Sequence, residues 1–73
     1  MVEYPDELKK LATITTDLGL PAELRIRAIE QISAIGSHEA LLALLDVVAN
    51  DKLTVREREL ALERARKIVR SSH

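Results

Sequence analysis

The stretch LRIRAIEQISAIG, residues 24–36, decides how this chain is read. Leu24, Ala28, Ile32 and Ile35, with Ile29 beside them, recur at the spacing of one helix face. Pro21 stands at the start of this helix, where a missing amide donor does no harm, and Gly36 stops it. At about 100° per residue, Arg25 falls between Ile29 and Ile32, on the apolar side. An unpaired charge there would be costly, so the position of Arg25 demands acceptors.

Three further helices flank this one. A first is expected over residues 5–18. Pro5 opens it, Asp6 and Glu7 face the positive end of the helix dipole, and Leu8, Leu11, Ala12 and Leu18 form its stripe. Gly19, free to adopt positive φ, ends it. A third, over residues 38–49, follows Ser37 as its cap and reads EALLALLDVVA, with almost no polar face. Such a helix is central, or touches a partner. A fourth, over residues 54–70, opens on TVRE, in which Thr54 caps the third amide and Glu57 reaches back. Its stripe is Ala61, Leu62, Ala65, Ile68 and Val69, and residues 71–73 are expected to fray.

The expectation is an all-α fold of one domain over residues 1–73, with helix pairs at 5–36 and 37–70. Of the 73 residues, 47% are hydrophobic but only Tyr4 is aromatic, so the core is aliphatic. A chain this short buries roughly 60% of the surface it exposes when unfolded. The absence of cysteine removes disulfides and thiolate sites, and His38 and His73 are too few for zinc. No run approaches a membrane span, and MVEYPDELKK lacks the apolar region of a signal peptide. A cytoplasmic location is the expectation.

A shift of 33 residues aligns residues 20–36 with residues 53–69, bringing Leu20 onto Leu53, Arg25 onto Arg58, Ala28 onto Ala61, Glu30 onto Glu63 and Ile35 onto Ile68. Leu8, Leu11 and Ile14 fall likewise on Leu41, Leu44 and Val47. A repeated helix pair is a solenoid pattern. Leu24, Arg25, Ala28, Ile32, Ile35 and Gly36 fill, in order, a pattern that resembles the second helix of a HEAT repeat, and SHEALLALLDVVAND resembles the first helix of the next. ERELALERARKIV is similar but degenerate, with Glu57 for the leading apolar residue, Ala65 for the large one and Val69 for the glycine. The resemblance implies two stacked antiparallel helix hairpins, protein binding and no catalysis; the rival architecture is a plain four-helix bundle. It also implies an Asp–Arg pairing at the turn within each pair. The ends of such an array are commonly covered by neighbours.

Arg58, like Arg25, falls on an apolar face. Asp17 and Asp51, near the ends of the preceding helices, are the carboxylates expected for Arg25 and Arg58, with helix C-terminal carbonyls as further acceptors. Their expected role is structural.

No nucleophile–base set and no phosphate-cradling loop is visible, and Thr13, Thr15 and Thr16 read as a solvated or groove-facing edge. Neither an enzymatic role, a cofactor nor a small-molecule substrate is expected. Residues 54–70 hold six basic against three acidic side chains, although the chain's net charge is −1. Arg56, Arg66, Lys67 and Arg70 share an outer face, which offers nucleic acid or an acidic partner as the alternative role. The favoured expectation is a protein-interaction or assembly module, binding another protein or itself as a homodimer. Ile26, Leu41, Leu42, Leu45 and Leu60 are the candidate contact residues.

Overall fold

Local chemistry sets where each helix begins and ends. The computed structural model describes residues 6–71, so Tyr4, Pro5 and His73 lie outside the described residues. Four helices follow in order: α1 (Asp6–Thr15), α2 (Ala22–Ile35), α3 (His38–Ala49) and α4 (Val55–Ser71). The Ser37 hydroxyl accepts the Ala40 amide at 3.1 Å and starts α3. The Thr54 hydroxyl accepts the Glu57 amide at 3.2 Å and starts α4. Gly36, at φ +66°, ends α2 and returns its N–H to the Ile32 carbonyl.

α1 is shorter than its hydrophobic pattern suggests. It stops at Thr15, and Leu18 stands exposed in the following turn. Gly19 does not terminate it through positive φ; among the described residues only Gly36 adopts that conformation. The Asp17 carboxylate instead accepts the Gly19 amide at 2.9 Å, and the Asp17 carbonyl accepts the Leu20 amide at 3.1 Å. This side-chain turn competes with continued helix. At the far end, α4 runs through Ser71, one residue past the expected fraying point.

The turn between α3 and α4 is built the same way. The Asn50 side chain accepts the Lys52 amide at 3.0 Å, and the Asn50 carbonyl accepts the Leu53 amide at 3.2 Å. Asn50 lies 33 positions after Asp17, and α4 begins 33 positions after α2. The turn residue equivalent to Asp17 is therefore Asn50, not Asp51.

The helices pack chiefly as neighbours in sequence, α1 on α2 and α3 on α4. α2 lies against both α3 and α4, whereas α1 touches α3 only lightly and, among the described residues, does not reach α4. Leu8, Ile29 and Ile32 from the first pair form the core with Ala40, Leu44, Val47, Leu53, Ala61, Ala65 and Ile68 from the second. The alanines of α4 matter here. Small side chains let helices approach closely, and the branched residues of α2 and α3 fill the space between them.

Candidate functional site

Arg25 is the buried charge that the pattern of α2 requires, and its acceptors come from three places. Its Nε donates to Glu57 Oε1 at 3.2 Å and its Nη2 to Glu57 Oε2 at 3.0 Å, a two-point pairing of planar groups. Its Nη1 donates to the Leu20 carbonyl at 2.6 Å and the Asp17 carbonyl at 3.2 Å. The guanidinium thus fastens α2 to the turn after α1 and, across the junction between the helix pairs, to α4. Both side chains are almost fully shielded from water. A buried pair of this kind holds only when further hydrogen bonds satisfy it, and here they do.

Two expectations are corrected at this point. Asp17 meets Arg25 through its carbonyl, because its carboxylate is engaged in the turn. Glu57 does not reach back over the first turn of α4, because both its oxygens face Arg25. Its amide still completes the Thr54 half of the cap.

Arg58 makes a smaller version of the same bridge. Its Nε donates to the Val48 carbonyl at 2.8 Å, near the end of α3, and the side chain is half-buried. The acceptor is a carbonyl rather than the Asp51 carboxylate, and Asp51 itself is exposed. Geometry explains the choice: helix C-terminal carbonyls point along the axis toward the arriving guanidinium.

The threonines carry their hydrogen bonds within α1 and its turn. Thr15 is buried and donates to the Ala12 carbonyl at 2.6 Å, so it forms part of the packing rather than an edge. Thr13 and Thr16 are exposed and donate to the Lys9 and Thr13 carbonyls. On the outer side of α4, Arg56, Arg66, Lys67 and Arg70 are all exposed. Glu59 and Glu63 stand exposed on the same side, so carboxylates interrupt the cations.

The candidate contact residues divide. Leu41 and Leu60 pack against the core, and Ile26 is half-buried. Leu42 and Leu45 are exposed on α3. α4 adds a row, two members of which fall in the apolar stripe expected to face the core: Leu62 and Val69 are 39% and 56% exposed, and Val55 is 65% exposed. These three recur every seven residues and stand in line along one side of the helix. The seven-residue spacing was visible in the sequence; what concealed it was the adjacent stripe of Ala61, Ala65 and Ile68, which takes the buried side. Leu24 and Ile35, counted in the stripe of α2, are likewise about 40% exposed.

No helix of the described residues is long and apolar enough to cross a membrane, and no cluster of three metal-ligating side chains occurs among them. In comparison with known proteins, no family model, no curated protein and no solved structure matches the chain.

Proposed function

We propose that this chain is a non-enzymatic interaction module of two HEAT-like helix pairs, whose working surface is apolar. The observation that carries the reading is the row Val55, Leu62 and Val69 on α4, of which Val55 and Leu62 line one cleft with Val48 of α3. Large aliphatic side chains scattered singly need no explanation, but a contiguous set argues for an interface. The two turns with the same hydrogen bonds, spaced 33 residues apart, support a repeated helix pair. The lack of contact between α1 and α4 among the described residues also favours stacked pairs over a closed bundle.

The role is one of burial, in which a partner covers the α3–α4 side and removes the row from water. Each aliphatic side chain fully covered contributes about 1.5–3 kcal/mol before the entropic cost of association. The test is solution mass by light scattering, together with titration of a labelled oligonucleotide, each at low and moderate salt. An apolar contact persists as salt rises. Binding only to the oligonucleotide, weakening steeply with salt and abolished by Arg66→Gln with Arg70→Gln, would replace this reading with an electrostatic one.

A further inference from the structure

The junction inside the molecule shows what each of its ends resembles. Toward the first helix pair, the second pair buries Leu44, Val47, Leu53, Glu57 and Ala61. The residues 33 positions earlier are Leu11, Ile14, Leu20, Leu24 and Ala28. These line a shallow cleft of about 220 Å³ between α1 and α2, on the side of the first pair away from the second, with Arg27 and Gln31 beside it. In the other direction, the first pair buries Leu8, Thr15, Arg25, Ile29 and Ile32. Their counterparts are Leu41, Val48, Arg58, Leu62 and Ala65. Val48, Arg58 and Leu62 line a second cleft of about 210 Å³, between α3 and α4, together with Val55 and Glu59. One outer end thus carries the counterpart of each half of the inner junction.

We propose that the occupant of these clefts is a second copy of this chain, stacked head to tail, with the α3–α4 end of one copy on the α1–α2 end of the next. The proposal rests on the interaction-module reading and names its partner. The ion pairs of the inner junction define its register. Inside the chain, Arg25 meets Glu57, and Glu30 lies 3.8 Å from Arg64. Carried forward by 33 residues, that register sets Glu63 of one copy opposite Gln31 of the next, and the two facing clefts bring a carboxylate, Glu59, and a guanidinium, Arg27, to the contact. Arg58 falls opposite Leu24, where the inner junction has its carboxylate. The contact between copies therefore lacks the strongest polar pairing of the inner junction and forms reversibly. Because the two surfaces differ, the contact is heterologous and does not stop at two copies unless it closes into a ring.

Sedimentation and light scattering across a concentration series test this. The wild-type chain is expected to grow past a dimer as concentration rises. Leu24→Lys and Leu62→Lys, both at exposed positions, each spoil one end and leave a helical monomer. Mixed in equal amounts they form a one-to-one complex, since each supplies the surface the other has lost. Leu24→Glu places a carboxylate opposite Arg58 and lowers the concentration of half-assembly several-fold, the reverse of what a charge does to a purely apolar patch. A dimer that stops at two and survives either lysine substitution would overturn head-to-tail stacking while leaving the interaction-module reading in place. So would a wild-type chain that stays monomeric into the millimolar range yet binds a different protein through the α4 row. If the lysine variants fail to fold, Leu24→Glu still decides: a folded variant that assembles less well than wild type overturns the proposal.

Discussion

Arg25 and Arg58 occupy the same place in two successive helix pairs, yet one is sealed in the interior and the other is half-open to water. Both donate to backbone carbonyls that precede their own helix, Arg25 to Asp17 and Leu20 in the turn after α1 and Arg58 to Val48 within the last turn of α3. In each case the bond stays within one helix pair. The Glu57 carboxylate and the full burial of Arg25 come from the neighbouring pair, and Arg58 has no such neighbour within the described residues. The same position is therefore a simple fastener where no further helix pair packs on it and a buried ion pair where one does.

The largest expected effect comes from breaking the closed site. Glu57→Ala leaves Arg25 buried with its carbonyl acceptors only, and is expected to cost about 3–5 kcal/mol. In a domain whose total stability is of order 5–15 kcal/mol, urea unfolding will show a large loss of midpoint with little change in slope. Replacing both partners, as in Arg25→Met with Glu57→Leu, is expected to restore most of this, because no unpaired charge remains in the interior. A double variant no more stable than Glu57→Ala would mean that the carbonyl bonds of Arg25, rather than the ion pair, hold the junction.

The open site responds less. Arg58→Met removes one hydrogen bond and keeps the apolar stem, at an expected cost of about 1 kcal/mol. For a domain of this size that lowers the thermal midpoint by about 4–8 °C. A loss as large as that of Glu57→Ala would erase the distinction between the two sites. Thr54→Ala removes the cap of α4 and is expected to cost about 1 kcal/mol or less. Because Glu57 uses its amide for the cap and its carboxylate for Arg25, the Thr54 and Glu57 losses are expected to be separable. A double-mutant cycle checks this, and a coupling beyond about 0.5 kcal/mol would show that the cap positions the ion pair.

Most of the fold was legible along the chain. α3 has the bounds that Ser37 and the apolar run set, α2 ends at Gly36, and α4 starts after Thr54. The candidate contact surface was legible only in part. The pattern of α3 points to its exposed leucines, Leu42 and Leu45, but the pattern of α4 points Leu62 and Val69 inward. On a helix, 100° of rotation separates neighbours such as Ala61 and Leu62, and a broad apolar stripe does not say which edge the next helix covers. Leu41 and Leu60 illustrate the converse: they read as surface candidates and pack against the core.

Local pattern along the chain sets the number of helices, the Ser37 and Thr54 caps, the aliphatic character of the core and the requirement that Arg25 be satisfied. These depend on contacts within a few residues, where spacing alone fixes geometry. That Glu57 satisfies Arg25, and which aliphatic residues face water, follows instead from how the helices pack. Glu57 lies 32 residues from Arg25, on a helix that is not its neighbour in sequence. Its local pattern offers it a second role, at the cap of its own helix. The stacking of α2 against α4 settles between the two, because a carboxylate brought up to a buried guanidinium gains more there than at an exposed helix end.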